Sequence, residues 1–144
     1  DGGIQWPIDI WEANNVNTGT SVTITVVFSI TVASAGIGVF KVMNAASSSS
    51  ATVGNNNTGT NKATATIDVP AHGGVISYAA CFGGSSTWTL ASVTEGFDQT
   101  VDGADTHAGG QNTYSTAQSS LDVGATPSGS SSYHSVVAAA WGRA

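Results

Sequence analysis

Three aspartates in the second half of the sequence have the spacing that most directly suggests a ligand site. Asp98, Asp102 and Asp105 lie within eight residues, and Gly103 lies among them. Because Ca²⁺ prefers carboxylate oxygens, we predict a calcium-like cation here if the three side chains converge. The spacing departs from the EF-hand pattern, which needs acids at loop positions 1, 3 and 5 and a Glu at position 12. An ordinary polar loop is the alternative interpretation.

A second pair of carboxylates, Asp9 and Glu12, lies in the run Ile-Asp-Ile-Trp-Glu-Ala-Asn that begins at Ile8. This run resembles the catalytic strand of retaining β-glucanases and family-7 cellulases, which carries Glu-x-Asp-x-(x)-Glu on a β-jelly roll. In that family the first Glu is the nucleophile and the last is the acid/base, about 5 Å apart across one cleft. Here Pro7 occupies the position of the first Glu. We therefore expect no hydrolase activity at this strand.

The remaining reactive side chains are scattered. His72, His107 and His134 are far apart, and none has a second ligand at metal-binding spacing. We expect all three in loops or at the surface, with His134 pointing outward from a strand. Cys81 lies in an apolar run and is predicted to be a buried small hydrophobe. The sequence has no Gly-x-Ser-x-Gly nucleophile elbow, and we predict a protein that is not an enzyme and needs no cofactor beyond the calcium considered above.

Four tryptophans could serve either the core or a ligand. Trp88 and Trp141 lie in alternating segments, where burial in the core is expected. Trp6 and Trp11 are the better candidates for an exposed surface that a neighbouring subunit covers or on which a sugar stacks. We predict an interface or ligand surface at these two residues.

Composition limits the possible partners. Charged residues make up only 8% of the 144 residues, against about 25% in ordinary soluble proteins. The net charge is −6, with Lys41, Lys62 and Arg143 as the three permanent cations. Nucleic-acid grooves need clustered cations that replace counterions, and anionic membranes attract basic segments. Neither nucleic acid nor a membrane is an expected partner, and no stretch approaches the roughly 18 apolar residues of a membrane span.

Short segments of alternating polarity, separated by Gly, Ser and Asn, predict an all-β protein. The clearest predicted strand is Val22–Ser29, and the alternation continues around Ile37 and Val39. Residues 44–62 predict a long loop or a weak edge strand between two loops. Further strands are predicted at Ala63–Val69, Val75–Phe82, Trp88–Val93, Thr113–Ser119, Leu121–Ala125 and Tyr133–Trp141. This spacing is typical of an antiparallel, jelly-roll-like β-sandwich. We expect one domain over residues 1–144 that lacks the N-terminal strands of a longer chain.

The order of several motifs resembles a group of Ser/Thr/Gly-rich virion structural proteins of tailed bacteriophages and prophages. The resemblance covers Ser21 to Trp141 and is carried by Ala-Gly-Ile-Gly-Val-Phe from Ala35, Pro-Ala-His-Gly-Gly from Pro70, Thr-Trp-Thr-Leu from Thr87, Tyr-Ser-Thr-Ala-Gln from Tyr114 and Ala-Thr-Pro-Ser-Gly-Ser from Ala125. It implies a β-sandwich in a virion or outside the cell and no catalytic residues.

Two functions follow as expectations. The first is a capsid decoration, head-fibre or tail-associated domain that assembles with identical subunits or other virion proteins. The alternative is a carbohydrate-binding or adhesin-like β-sandwich that binds surface glycans through exposed aromatic side chains.

Overall fold

The computed structural model describes residues 8–13, 23–32, 34–46, 48–84 and 87–144. Within these ranges the secondary structure consists of nine strands. They are β1 (Ala51–Gly59), β2 (Thr66–Val69), β3 (Gly73–Phe82), β4 (Trp88–Leu90), β5 (Thr94–Asp102), β6 (Asp105–Tyr114), β7 (Gln118–Asp122), β8 (Ala125–Pro127) and β9 (Ser131–Trp141). The described part of the chain contains no helix long and apolar enough to cross a membrane.

Five strands form the main antiparallel sheet, in the order β1-β9-β3-β6-β5. A second layer consists of the pairs β2-β7 and β4-β8, which an isolated bridge between Ala63 and Ala125 links. The main core lies between the two layers and is built mostly from small side chains, including Val75, Ala79 and Val136. The prediction of an all-β, antiparallel sandwich is confirmed. The jelly-roll order of strands stays a prediction.

Alternation correctly predicted the strands that lie against this core. Ala65, Ile67 and Val69 are buried, whereas Thr66 and Asp68 between them are exposed, because successive side chains of a strand point to opposite faces. The apolar run at Val75–Phe82 is the central part of β3, and the last predicted strand is most of β9. Cys81, Trp88 and Trp141 are buried as expected.

The predicted strand at Val22–Ser29 is wrong for residues 23–29, which form no strand, and residues 37–41 form none either. The segment Trp88–Val93 is a strand only as far as Leu90. Thr113–Ser119 is interrupted by a bend, because β6 ends at Tyr114 and β7 begins at Gln118. Leu121–Ala125 is divided in the same way between β7 and β8. Residues 44–62 contain the edge strand β1, which was one of the two alternatives for that span.

Two segments without strand structure cover the outer face of the main sheet, which points away from the second layer. Ile10, Phe40 and Ala45 pack there against Ile76, Ala139 and Trp141. Residues 34–40, which we call the strap, cross the same face over β3, β6 and β5, since Gly36 lies against His107 and Gly38 against Phe97 and Tyr78. The strap therefore buries the outer side of β6, whose first six residues are all buried.

Candidate functional site

The three aspartates of the predicted cation site act separately as hydrogen-bond acceptors. Asp98 accepts the backbone N–H of Trp88 at 2.7 Å and ties β4 to β5. Asp105 accepts the Ser34 hydroxyl at 2.7 Å and the Gly83 N–H at 3.3 Å, while Asp102 is exposed at the end of β5. Among the described residues, no three His, Cys, Asp or Glu side chains are grouped as a metal site requires. The calcium-like site at these three residues stays a prediction.

Glu12, the second carboxylate of the glucanase-like run, has a structural role. Its Oε2 accepts the indole N–H of Trp141 at 2.9 Å and the backbone N–H of Ser49 at 3.1 Å. The first bond fastens residues 8–13 to the end of β9 and the second to the segment before β1, while Asp9 is exposed. Trp11 projects from the same segment with 89% of its surface exposed. Trp6 and Pro7 lie outside the described residues.

His134 was predicted to point outward, and this prediction is wrong because only 1% of its surface is exposed. Its Nε2 lies 2.6 Å from the carbonyl oxygen of Asn61, so this nitrogen carries the proton and donates it to the bond. Nδ1 is then free to accept the hydroxyl of Ser131 at 2.8 Å. Ser131 is itself 4% exposed, and the pair joins the start of β9 to the segment that follows β1. The sequence signal for this burial was that His134 shares the even-numbered positions of the strand with the apolar residues Val136, Ala138 and Ala140, so that all four point to the same face.

His107 is also buried, against the expectation of a loop or surface position, and only His72 lies in a turn as predicted. The Tyr78 hydroxyl lies 2.7 Å from Nδ1 of His107 and 3.3 Å from the carbonyl oxygen of Gly36 in the strap. Burial lowers the pKa of His107 below its ordinary value, against the opposing influence of Asp98. Burial also raises the pKa of Tyr78 to about 12. Both side chains are therefore neutral near pH 7, and the Tyr78 hydroxyl and Nδ1 of His107 share a hydrogen bond beneath the strap.

An aromatic cluster completes the contact between the strap and the sheet. The Phe97 ring lies 5.1 Å from the ring of His107, 6.0 Å from Phe40 and 6.1 Å from Tyr78, measured between centroids. Such tilted arrangements are favourable for aromatic pairs. Gly38 and Gly109 allow the rings to approach the backbone closely, since a Cβ at either glycine would lie within 2.7 Å of Phe97. These contacts fix the strap on the outer face of the sheet.

The largest unexplained feature is an apolar surface on the N-terminal third of the chain. Twelve large hydrophobic side chains are at least 40% exposed among the described residues, and ten of them lie between residues 24 and 43. Those ten are Ile24, Val26, Val27, Phe28, Ile30, Val32, Ile37, Val39, Val42 and Met43. We call them the apolar surface. Alternation among Ile24, Val26 and Phe28 predicted a strand, and nothing in that local pattern indicated that these side chains would be exposed.

Comparisons with protein-family models, with curated proteins and with solved structures found no match.

Proposed function

We propose that this chain is a non-enzymatic structural domain of a virion, such as a capsid decoration, head-fibre or tail-associated domain. It acts by assembling with identical subunits or with other virion proteins. The observation that carries the proposal is the concentration of ten exposed large hydrophobic side chains between residues 24 and 43, because exposed apolar surface of this extent on a soluble protein usually marks an interface. The virion itself comes from the resemblance of the sequence motifs to phage structural proteins.

The size of the apolar surface fits a role in association. Full burial of a Val, Ile or Phe side chain contributes about 1.5–3 kcal/mol, so ten side chains that are already partly covered contribute on the order of 10 kcal/mol. Association costs roughly 4–15 kcal/mol in lost freedom of movement. The two quantities are of the same order. Apolar burial at this surface therefore offsets much of the cost, and hydrogen bonds or repeated contacts in an assembly would supply the remainder.

The charge distribution also favours contact between identical subunits. Residues 21–40 contain no Asp, Glu, Lys or Arg, although the chain as a whole carries a net charge of −6. Two acidic subunits repel each other less when the contacting surface is uncharged. Charged side chains are depleted from the centres of protein interfaces because their desolvation is costly. The uncharged segment is therefore suited to an interface between two acidic copies of the chain.

The test is the native mass of the purified chain by light scattering, together with its location in intact particles. We expect a symmetric oligomer or a particle-bound copy. Ile30→Asp places a charge on a side chain that is 75% exposed, so it should leave the fold intact and reduce the oligomer at least tenfold. Ser119→Asp, at an exposed position of β7, is the matched control. A wild-type chain that stays monomeric and is found on no particle would refute the proposal.

The exposed Trp11 favours one other function, a carbohydrate-binding module. An indole that is 89% exposed could stack on a sugar ring. A monomer whose tryptophan fluorescence changes on addition of glycans, and no longer does so in Trp11→Ala, would favour this second candidate over assembly.

A further inference from the structure

Residues 23–32 have the sequence of a β-strand but no strand partner among the described residues. Ile24, Val26, Phe28, Ile30 and Val32 alternate with Thr or Ser at every position except Val27. All ten residues are exposed, and none forms a backbone or side-chain hydrogen bond with another described residue. A strand-forming segment in this state leaves both its amides and its apolar side chains to solvent. The same features make unpaired strands ready to join another sheet.

The same chain carries a sheet edge that such a segment can join. β5 is the last strand of the main sheet and pairs only with β6. Apart from its ladder with β6, the only backbone hydrogen bond that β5 forms with another described residue is at the hairpin turn, where the Asp102 carbonyl oxygen accepts the N–H of Ala104. At about 3.3 Å per residue, the nine residues of β5 span roughly 30 Å, and the ten residues of the segment span roughly 33 Å. The two lengths match.

The opposite edge of the sheet, β1, is less available. Asn55 donates its side-chain amide to the carbonyl oxygen of Thr64, and Asn57 donates to that of Lys62 at 2.9 Å. The chain that follows β1 therefore lies close to this edge. β5 carries Glu95, Asp98 and Asp102 instead, so pairing between two β5 edges would place acids of like charge together. An uncharged strand meets no such repulsion, which selects segment 23–32 over a second β5.

The direction of the chain favours a partner copy over the segment's own β5. The hydrogen bond from Ser34 to Asp105 holds the chain beside the end of the β5–β6 hairpin, where Asp102 pairs with Asp105. Residues 23–32 run toward Ser34, and β5 also runs toward this end. Within one molecule the two would be parallel, whereas all strand pairs described in this chain are antiparallel. A second molecule can approach in the antiparallel direction.

We propose that residues 23–32 of one copy add as an antiparallel strand to the β5 edge of a second copy. This inference rests on the proposed assembly function and names the surface that performs it. The apolar side chains at even positions would lie on the outer face of the partner's sheet, beside Phe97 and next to the exposed strap residues Ile37 and Val39. The threonines would lie on the other face. Strand addition would pair the backbone of both elements and bury much of the apolar surface in one step.

The experiment is disulfide trapping between separately purified single-cysteine variants. One carries Val26→Cys, Phe28→Cys or Ile30→Cys, and its partner carries Gln99→Cys, which shares the outer face of β5 because Gln99 pairs with His107. Three donor positions cover neighbouring registers. The matched control is Val27→Cys, on the same segment but the opposite face, because a disulfide requires Cα atoms about 4.4–6.8 Å apart. Cys81 is buried and is present equally in all variants.

We expect disulfide-linked dimers between the two different variants for one even position, at a yield at least fivefold above that of Val27→Cys. A chain carrying both Phe28→Cys and Gln99→Cys that closes its disulfide within a monomer would overturn the proposal, because the segment would then lie on its own β5. An oligomer that forms no such disulfide would overturn strand addition and leave the assembly function intact. A chain that is monomeric throughout would overturn both.

Discussion

Alanine at Gly38 should destabilise the protein because the strap lies directly on the sheet at this residue. A Cβ added to Gly38 would lie 2.5 Å from Cζ of Phe97 and 3.2 Å from Cδ2 of Tyr78. The Phe97 ring cannot move away freely, since it is enclosed by Phe40, Tyr78 and His107. Overpacking of this kind costs about 1–3 kcal/mol. The strap must therefore lift or the aromatic cluster must rearrange.

Gly103 provides the matched control, because a Cβ there would have no neighbour within 4 Å. Gly103→Ala should be neutral or stabilising by up to about 1 kcal/mol, since alanine reduces the entropy of the unfolded chain. Urea unfolding followed by fluorescence would give both free energies. For a chain of this size, each kcal/mol shifts Tm by about 3 °C, so Gly38→Ala should melt roughly 3–9 °C below the wild type. Equal stability of the two variants would refute the placement of the strap on the sheet.

Three further outcomes are expected. First, burial lowers the pKa of His107, so the folded state favours the neutral imidazole. The stability gained from this preference is complete above about pH 6.5, the ordinary pKa of histidine, and is lost as the pH falls through the lower pKa that His107 has in the folded protein. Urea unfolding at pH 7.5 and pH 5 should show this loss, and His107→Gln should reduce it; an unchanged pH dependence in the variant would contradict the assignment. Second, His134→Ala should cost about 2–4 kcal/mol, because it opens a cavity and leaves buried polar partners unsatisfied, while Ser131→Ala should cost about 1 kcal/mol in the same unfolding assay; equal costs would show that the His134 bond to the Asn61 carbonyl contributes nothing. Third, acrylamide quenching of Trp11, taken as the difference between wild type and Trp11→Phe, should fall on assembly, and unchanged quenching would remove Trp11 from the interface.

The sequence predicted the strands that face a core on one or both sides. Ala63–Val69 alternates strictly because one side of it contacts the main core and the other contacts water. The run at Val75–Phe82 is nearly continuous in apolar residues because β3 is the central strand and is covered on both faces. In each case the local sequence pattern predicts which faces of the strand are buried, because the number of apolar faces matches the number of layers that cover the strand.

The β5–β6 hairpin could not be recognised in the same way. Its residues include Asp98, Asp102 and Asp105, which suggested a cation loop. In the structure two of these acids accept backbone or hydroxyl hydrogen bonds from β4 and the strap. β6 begins with buried Asp, Thr, His, Ala and two Gly, so it shows no apolar alternation. Its burial depends on the strap, which is distant in sequence, and local periodicity does not report a contact of that kind.

The strand prediction at residues 23–29 is wrong for a different reason, because here the alternation is present and the strand is not. The alternation of Ile24, Val26 and Phe28 with Thr23 and Thr25 is as regular as that of β2, yet in the single chain these residues face solvent. Under the proposed strand addition, the alternation and the exposure of residues 23–29 are compatible, because the surface that buries these side chains belongs to a second molecule. In that case the sequence pattern describes the assembled state, and the isolated chain shows the same segment before a partner covers it. The apolar side chains that are costly to expose in a monomer are then the ones that make association favourable.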